Sequence, residues 1–237
     1  MFCAIDLRSS MSSGVRESFC LALHLLLSGL PSYTDWRLSH FEEVQMKKNK
    51  VIDSAGFRRT VNRLAHEVVE RNKGTENVAV VGIRTRGEFL AQRIAKKIEE
   101  IEGKAIQVGT LDITLYRDDL RGRLDQPHLK STEILFDVTG KVIVLVDDVL
   151  FTGRTIRAAL NALTDLGRPA LIELLVLIDR GHRELPIKAD FVGKSIPTSL
   201  KEEIKVLMSE TDGEDCVFLN HIDDQSSGNR VEGGTAR

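Results

Sequence analysis

The stretch Val142-Ile143-Val144-Leu145-Val146-Asp147-Asp148-Val149-Leu150-Phe151-Thr152-Gly153-Arg154-Thr155 decides the fold of this chain. Its first five residues are aliphatic or β-branched, which is typical of a strand buried on both faces of a parallel sheet. Two carboxylates follow where that strand is expected to leave the sheet, and residues 156–166 have the pattern of a helix. In open α/β sheets, ligands bind beyond the carboxyl ends of the strands. The sequence therefore predicts a binding site at this turn.

The turn itself is suited to a phosphate group. A glycine-containing turn that opens a helix presents backbone N–H groups and the positive end of the helix dipole. Thr152 and Thr155 add hydroxyl donors and Arg154 adds positive charge. Because carboxylates would repel a phosphate, Asp147 and Asp148 need another partner, either the hydroxyls of a sugar or a Mg²⁺ that the sugar also holds. A phosphorylated ribose is the implied ligand. The alternative is a surface turn, but an Asp-Asp pair has no packing reason to follow five core residues.

A strand followed by Asp-Asp and Thr-Gly-x-Thr resembles the signature of the type I phosphoribosyltransferases, which bind phosphoribosyl pyrophosphate (PRPP). Further segments stand in order along the chain, at residues 63–67 (RLAHE), 81–87 (VGIRTRG), 112–119 (DITLYRDD), 125–129 (DQPHL) and 179–186 (DRGHRELP). Together they resemble the bacterial pyrimidine operon attenuation proteins, which are also uracil phosphoribosyltransferases. The resemblance covers roughly residues 47–219.

This resemblance implies a fold and an activity. The fold is α/β, with a mainly parallel central sheet flanked by helices, a small hood and a C-terminal β-hairpin. The activity is bifunctional: the protein binds pyr leader mRNA when occupied by UMP or UTP and so attenuates transcription, and it converts uracil and PRPP to UMP and pyrophosphate. Two rival interpretations are a salvage phosphoribosyltransferase with no RNA role and a regulator that binds nucleotide without catalysis.

The resemblance also assigns the residues around PRPP. Asp147 and Asp148 are expected to hold the ribose hydroxyls, either directly or through Mg²⁺. The Mg²⁺ would bind these carboxylates directly, or through the ribose or a water molecule. The 5′-phosphate falls to the turn Val149, Leu150, Phe151, Thr152, Gly153, Arg154 and Thr155. Pyrophosphate falls to a second loop at the end of an apolar strand, comprising Arg84, Thr85, Arg86 and Gly87. For this loop the alternative is an ordinary pair of surface arginines at a helix start.

The hood and the base pocket complete the expected active site. The stretch Thr114–Asp119 and the loop after it, which ends near residue 131, resemble the hood of these enzymes. Its closure would bring Tyr116 and the catalytic candidate Arg117 over the site and exclude water; a solvated loop without a role is the alternative. Phe151 stands where phosphoribosyltransferases for hypoxanthine or guanine carry an Asp, which argues against a 6-oxopurine. The base is assigned by resemblance to Ile178, Asp179, Arg180 and Val192, although residues 180–183 also fit a structural turn.

A third set of residues points to RNA. A helical pattern beginning at Asp53-Ser54 places Arg59, Asn62, Arg63 and His66 on one face, which offers donors and an imidazole to a looped RNA. By resemblance, this face and Lys201 contact the leader mRNA. The family usually carries Thr where this chain has Asn62. Residues 47–73 hold eight basic residues against three acidic ones, but ordinary solvated faces also explain that charge.

The composition and the cysteine spacing limit the class of protein to which this chain can belong. The 237 residues are 42% hydrophobic and carry a net charge of −2, which fits one α/β domain with extra segments and shows no global sign of a nucleic-acid binder. The three cysteines, Cys3, Cys20 and Cys216, have neither metal-ligand nor disulfide spacing, so a reducing cytoplasm is expected, with no membrane association.

Three segments are therefore predicted: a non-family extension over residues 1–45, a phosphoribosyltransferase domain over 46–220 and a disordered tail over 221–237. Within the domain, the pattern also predicts an amphipathic helix over 87–101 with Gly103 just past its end, an extended segment over 105–115 and a short strand over 189–192. Residues 19–30 imitate a secretory signal, yet export does not suit an enzyme that consumes a cytoplasmic sugar phosphate. We expect Met46 to be the natural start and the protein to form a homo-oligomer.

Overall fold

The computed structural model of the protein describes residues 49–118 and 131–221. The chain divides into two units, Met1–Gln45 and Met46–Arg237, and everything described belongs to the second. The predicted N-terminal extension, most of the predicted hood loop and almost all of the predicted tail lie outside the described residues. Within the described ranges, no helix is long and apolar enough to cross a membrane.

A five-stranded parallel sheet forms the centre of the molecule. Its strands are β2 (Val78–Ile83), β3 (Gln107–Leu111), β4 (Val142–Leu150), β5 (Leu171–Asp179) and β6 (Phe191–Ser195), in the spatial order β3-β2-β4-β5-β6. All four pairings are parallel. After β2 the chain moves outward to β3 and then returns to β4 on the other side of β2. This reversal creates a crevice at the carboxyl ends of β2 and β4, the place where open α/β sheets bind ligands.

Three long helices cover the two faces of the sheet. Helices α1 (Ser54–Asn72) and α2 (Arg86–Glu102) pack on one face, with Val80, Val144, Val146 and Leu175 beneath them. Helix α3 (Arg154–Leu166) packs on the other face, against alternate residues of the same strands. Because neighbouring side chains of a strand point to opposite faces, a strand covered on both sides must be apolar throughout. That is why the sequences of β2, β4 and β5 contain long uninterrupted hydrophobic runs.

The predicted helix ends agree with the structure. Asp53 caps α1 by accepting a hydrogen bond from the backbone N–H of Gly56 at 2.7 Å. Gly103 ends α2 in the left-handed conformation, with φ of 68°, which glycine adopts without steric cost. Both signals act locally, so the sequence alone was sufficient to find them.

Several strand predictions need correction. The acid pair was expected beyond the end of its strand, but β4 continues to Leu150 and Asp147 pairs with Val176 of β5. The extended segment predicted over 105–115 is a five-residue strand followed by a 3₁₀ turn, Thr114–Tyr116. The last parallel strand was predicted over 189–192, but β6 begins at Phe191 and runs to Ser195. In each case the length of the strand depends on its pairing with neighbouring strands. The hydrophobicity of the segment itself carries no information about that pairing.

A small antiparallel sheet completes the fold. The predicted C-terminal hairpin is present as β7 (Glu202–Leu207) and β8 (Cys216–His221), joined through the short helix α4 (Ser209–Asp212). A third strand, β1 (Asn49–Ile52), which the sequence did not predict, pairs with β8. Ile52, Ile204, Val206 and Val217 of this sheet share the core beneath α1 and α2. The small sheet is therefore part of the same folded unit as the parallel sheet.

Candidate active site

The acid pair lies near the end of β4, and its two carboxylates face different layers. Because side chains alternate along a strand, Asp147 follows Ile143 and Leu145 toward α3, whereas Asp148 follows Val144 and Val146 toward α2. Each carboxylate accepts a hydrogen bond of 2.9 Å from the backbone N–H of the next residue, Asp148 for Asp147 and Val149 for Asp148. The pair is therefore held rigidly at the crevice between the two helical layers.

The electrostatics of the pair favour a ligand that donates protons or carries positive charge. Burial raises the pKa of Asp147 well above its usual value, and the charge of Asp148 raises it further, while Arg117 acts in the opposite direction. Burial also raises the pKa of Asp148, opposed by the charge of Arg86. Two buried, adjacent carboxylates repel each other. Sugar hydroxyls or a cation would relieve that repulsion, and a phosphate would increase it.

The turn after β4 forms the wall of a cavity of about 260 Å³. Gly153 has a φ of 91°, a left-handed conformation that residues with a Cβ rarely adopt, and it brings the chain directly into α3. The first turn of a helix leaves backbone N–H groups without helical partners. The cavity is lined by Arg117, Asp118, Asp147, Val149, Leu150, Phe151, Thr152, Gly153, Arg154, Thr155 and Ile156. The structure thus brings Arg117, Asp147 and all seven residues of the predicted 5′-phosphate turn to one cavity.

Acidic side chains already pair with the arginine of this turn. The Nη1 of Arg154 donates to Asp118 at 2.8 Å, and its Nε donates to Glu184 at 2.6 Å. Arg157, one turn further along α3, also donates to Asp118, at 2.7 Å. Sequence reasoning placed Asp118 only in the hood stretch and assigned no role to Arg157 or Glu184, although the three-residue spacing of Arg154 and Arg157 places both on one side of α3.

The second predicted anion loop joins β2 to α2. Gly87 lies so close to β4 that an added Cβ would stand 2.5 Å from the carbonyl oxygen of Val146 and 3.3 Å from the Cα of Asp147. Glycine is therefore required for the loop to approach the acid pair. Thr85 is exposed, and the bond between Arg84 and Thr85 is a cis peptide.

The two arginines of this loop have acidic partners but keep unused donors. Arg84 donates to Glu133 at 3.1 Å, and Arg86 donates to Asp212 at 3.4 Å. Within the part of the chain that the structure describes, the buried Nε atoms of Arg84 and Arg86 make no hydrogen bond, although the Arg84 Nε lies 3.8 Å from the Glu88 carboxylate. Buried donors without partners are destabilising, so the loop favours an incoming anion.

The hood candidates separate in space. The Tyr116 hydroxyl donates to Asp165, near the carboxyl end of α3, at 2.5 Å, which draws the ring away from the phosphate turn at the opposite end of that helix. That hydrogen bond raises the pKa of Tyr116. Arg117 lies in the cavity near Asp147. Residues 119–130, which hold the rest of the predicted hood, lie outside the described residues.

The four base candidates have different surroundings. The Ile178 side chain is fully buried in the core, so only its backbone is available to a ligand. Asp179 accepts from Gly181 at 3.0 Å and pairs with Arg183 at 2.6 Å. The guanidinium of Arg180 stacks 4.0 Å from the centre of the Phe151 ring. Val192 pairs with Val176, so it lies further from the strand ends than Lys194 and Ser195, which pair with Ile178 and Asp179.

Arg183 ties this region to the phosphate turn. Its Nη1 donates to the carbonyl oxygens of Phe151 at 2.6 Å and Leu150 at 3.2 Å. The backbone N–H groups of Glu184 and Leu185 donate to the carbonyl oxygen of Thr152. Arg183 lies in a segment that resembles the family, but the sequence indicated no role for it, because only folding brings it to this turn.

The predicted RNA face spans two basic clefts. Arg59 and Arg63 line a cleft of about 600 Å³ between α1, β1 and β6, together with Lys50 and Lys194. Asn62 lines a different cleft of about 430 Å³ between α1 and α2, with Arg58, Arg93, Lys96 and Lys97. His66 is exposed on α1, and Lys201 is exposed on the segment before β7. Neither His66 nor Lys201 lines either cleft.

Arg63 also has a structural role. Its Nη2 donates to the carbonyl oxygens of Val192 at 3.2 Å and Gly193 at 2.5 Å, and its Nη1 pairs with Glu67. Part of its donor capacity therefore holds α1 to β6. Lys194, whose Nζ donates to the carbonyl oxygen of Val51 at 3.1 Å, was not singled out by the sequence, because only the pairing of β6 beside α1 brings it to the cleft.

Comparison with known proteins identifies the family. Residues 50–208 match the phosphoribosyl transferase domain family. The bifunctional protein PyrR of Pelotomaculum thermopropionicum is 59% identical over 173 residues, which cover 73% of this chain and 96% of that protein. The bifunctional protein PyrR of Thermus aquaticus is 62% identical over 172 residues, covering 73% and 95%.

Solved structures show the same fold at low identity. A hypoxanthine phosphoribosyltransferase from Staphylococcus aureus matches with a TM-score of 0.54 and 16% identity, covering 74% of this chain and 93% of that one. The Trypanosoma cruzi enzyme matches with a TM-score of 0.56 and 13% identity, covering 73% and 96%. The chain therefore belongs to the phosphoribosyltransferase family and, within it, to the bifunctional PyrR proteins.

Proposed function

We propose that this protein regulates pyrimidine biosynthesis by binding pyr leader mRNA in the presence of uridine nucleotides, and that it is also a uracil phosphoribosyltransferase. The observation that carries the proposal is the family membership, at 59–62% identity over nearly the whole length of the relatives. The cavity that joins Asp147 to the phosphate turn supports the catalytic half. We place both activities in the domain over residues 46–220.

The reaction transfers a ribosyl group from pyrophosphate to a base nitrogen. We assign the 5′-phosphate to the backbone N–H groups at the start of α3 and to the hydroxyls of Thr152 and Thr155. Asp147 and Asp148 hold the ribose hydroxyls, and their negative field stabilises the positive charge that develops on the ribose ring as the bond to pyrophosphate breaks. The loop from Arg84 to Gly87 receives pyrophosphate, and the buried Nε of Arg86, which makes no hydrogen bond, supports this assignment. Arg117 lines the cavity of the phosphate turn and adds positive charge near Asp147.

Magnesium fits this site if the substrate supplies most of its ligands. Phosphoribosyltransferases generally use Mg²⁺ with PRPP. Among the described residues, no group of three or more His, Cys, Asp or Glu side chains could hold a metal ion, so the protein offers only the acid pair. Mg²⁺ usually keeps waters and substrate phosphates in its shell and takes one or two carboxylates. When bound, the ion neutralises charge on the pyrophosphate.

Uracil fits the base site better than a 6-oxopurine does. Phe151 offers no carboxylate to a purine ring, and its ring is already covered by Arg180 and approached edge-on by His182. We assign the edge of the base to the backbone of Ile178, Asp179 and Arg180. Val192 is the weaker candidate for covering the base, since Lys194 and Ser195 lie nearer the strand ends.

The RNA site is assigned to the exposed face of α1 with Arg59, Asn62, Arg63 and His66, and to Lys201. The two basic clefts on either side of α1 support this assignment, because phosphate groups bind clustered Lys and Arg side chains. Lys194 extends the surface beyond the residues that the sequence indicated. We place the protein in the cytoplasm, where PRPP and nascent mRNA occur, and we expect it to act as a homo-oligomer.

Two measurements test the proposal. PRPP-dependent product formation should be much faster with uracil than with hypoxanthine or guanine, and comparable rates with all three bases would overturn the base assignment. In gel-shift titrations at fixed salt, UMP should tighten binding of a pyr leader stem-loop but not of an unrelated hairpin. Equal affinity for the two RNAs would reject the regulatory function and leave the interpretation as a salvage phosphoribosyltransferase.

Variants on α1 locate the RNA surface. His66→Ala should weaken leader binding by about 1–3 kcal/mol, the scale of one stacked base, without changing uracil turnover. Arg63→Ala should weaken it as well, but it also removes the hydrogen bonds to Val192 and Gly193, so thermal unfolding must be measured beside it. Wild-type leader affinity in both variants would remove α1 from the RNA site.

A further inference from the structure

A buried arginine connects the base site to the segment before β7. Arg180 follows β5 and is only 8% exposed. Its Nε donates to the Thr198 hydroxyl at 3.1 Å, and its Nη2 donates to the carbonyl oxygens of Glu202 at 2.6 Å and Ser199 at 3.5 Å. The ring of His182 adds a contact of 2.5 Å to the carbonyl oxygen of Thr198. The turn after β5 therefore holds residues 198–202 at several points.

The same guanidinium also contacts a residue of the cavity wall. It stacks on Phe151, which lines the cavity of the phosphate turn. His182 meets the Phe151 ring edge-on, with ring centres 6.1 Å apart. A base bound to the backbone of Arg180 thus meets a residue whose side-chain donors are committed to residues 198–202.

The hydrogen-bond partners of Arg180 make this connection stiff. They are a hydroxyl and two carbonyl oxygens, and burial lowers the pKa of the guanidinium while the charges of Glu203 and Glu202 oppose that effect. Leaving a buried charged donor without its partner is strongly destabilising. A shift of Arg180 therefore has to be followed by residues 198–202, or those hydrogen bonds are lost.

Residues 198–202 form one closed turn that carries Lys201. The backbone N–H of Ser199 donates to the Glu202 side chain at 2.7 Å, which closes the turn. Lys201 stands at its exposed tip. The segment thus joins a buried anchor at the base site to a cation at the surface assigned to RNA.

We propose that Arg180 and Thr198 are positioning residues that couple occupancy of the base site to RNA binding. A base bound to the backbone of Ile178, Asp179 and Arg180 fixes Arg180, whose guanidinium in turn fixes Thr198, Glu202 and the position of Lys201. The inference rests on the proposed function, because it requires that UMP and leader RNA bind the same molecule. Coupling of this kind is reciprocal, so RNA must tighten UMP binding by the same factor by which UMP tightens RNA binding.

The test is a thermodynamic cycle on Thr198→Val, a nearly isosteric change that removes the acceptor of the Arg180 Nε. The Kd for the pyr leader stem-loop is measured with and without saturating UMP, and the Kd for UMP with and without the stem-loop. For the wild type, the ratio should fall in the usual range of about 5- to 150-fold. In Thr198→Val both ratios should fall together toward one, while the Kd for RNA without UMP and kcat for uracil stay at wild-type values, because the Nη2 bonds of Arg180 to Glu202 and Ser199 remain.

Two control variants make the outcome specific. Thr198→Ser keeps the hydroxyl and should keep the coupling ratio. Thr164→Val makes the same chemical change on α3, where the hydroxyl bonds only to helix carbonyl oxygens of Leu160 and Asn161, and should also keep it. A wild-type ratio in Thr198→Val would overturn the inference, as would loss of uracil turnover along with the ratio. A wild-type protein without any UMP effect would instead reject the proposed regulatory function.

Discussion

At the scale of single residues, the acid pair shows what sequence reasoning finds and what it misses. An Asp-Asp pair after five core residues has no packing explanation, so its presence predicted a ligand. Its orientation was not predictable, because β4 continues through the pair only in the company of β5. As a result Asp147 and Asp148 face opposite layers and meet different arginines, Arg117 and Arg86.

Replacing both acids should abolish catalysis without unfolding the protein. Asn keeps the oxygen that accepts the backbone hydrogen bonds of 2.9 Å but removes the negative charge. The lost charge acts mainly on the transition state, so kcat/KM for uracil should fall by about 10²-fold or more in Asp147→Asn/Asp148→Asn. Circular dichroism checks that the double variant is folded, and PRPP-dependent UMP formation measures its catalytic activity. Normal turnover in a folded double variant would reject the catalytic assignment.

The same double variant should unfold at a higher temperature than the wild type. The pKa of each carboxyl is higher in the folded state than its unfolded value of 3.8. Each carboxyl therefore destabilises the fold increasingly as the pH rises from the unfolded pKa to the folded pKa. Asn carries no such charge, so the gain should be present at pH 8, at about 0.5–2 kcal/mol, and should disappear below pH 3.8. Melting curves across this range measure it. An equal gain at every pH would mean that charge repulsion is not its cause.

At the scale of elements, local signals were reliable and long-range ones were not. The cap at Asp53, the stop at Gly103 and the apolar runs of β2, β4 and β5 are written in adjacent residues, and the structure agrees with them. Strand β1 has only four residues, Asn49–Ile52, and exists because β8 pairs with it. Its sequence alone carries too little signal. The contacts of Arg183 and Lys194 likewise appear only when distant loops meet.

The approach of α2 to β4 depends on Gly87. A Cβ at this position would overlap the carbonyl oxygen of Val146 at 2.5 Å, so Gly87→Ala must displace the anion loop from Asp147. A displacement of about 1 Å is enough to reduce turnover by about 10²-fold, and the overlap should lower stability by about 1–3 kcal/mol. Steady-state kinetics and chemical denaturation measure the two effects.

The control for this prediction lies at the other end of the same helix. At Gly103 an added Cβ meets no atom within 4 Å, so Gly103→Ala should lose about 1 kcal/mol from its left-handed conformation alone and keep its turnover. If Gly103→Ala and Gly87→Ala lost activity to the same degree, the contact with β4 would not be responsible.

At the scale of the whole molecule, two arginines of α2 fasten the C-terminal segment to the domain. Arg86, in the predicted pyrophosphate loop, pairs with Asp212. Arg93 donates to Glu210 at 2.8 Å, to Asp215 at 2.7 Å and to the Ser209 hydroxyl at 2.8 Å. It also stacks 5.3 Å from the centre of the Phe57 ring on α1. The small sheet, which carries Lys201 at its edge, is thereby held to the helices that bear the anion loop and the RNA face.

Arg93→Met should therefore destabilise the entire fold rather than release one hairpin. Burial lowers the pKa of Arg93, but the hydrogen bonds and charges of Glu210 and Asp215 outweigh it and raise the pKa overall. Met keeps the apolar contact with Phe57 and leaves both carboxylates without their cation. Hydrogen bonds to charged groups contribute about 1.5–3 kcal/mol each, so a loss of about 2–4 kcal/mol in a single unfolding transition is expected, because the small sheet and the parallel sheet share one core.

The pH dependence identifies the cause of that loss. Burial raises the pKa of Asp215, but the contacts with Arg93 and the Ser209 N–H outweigh it, and the Arg93 contact lowers the pKa of Glu210; both pKa values fall below their ordinary values of 3.8 and 4.5. Their stabilisation is thus complete above those values and disappears as the pH falls through the folded ones. Wild type and Arg93→Met should differ most in stability at about pH 7 and converge at low pH.

Lys97→Met is the control, because it removes only an exposed pair with Glu100 on the same helix and should change stability by less than about 1 kcal/mol. A deficit in Arg93→Met that persists unchanged at acid pH would assign the effect to packing on Phe57, and a separate early transition would show that the small sheet unfolds on its own.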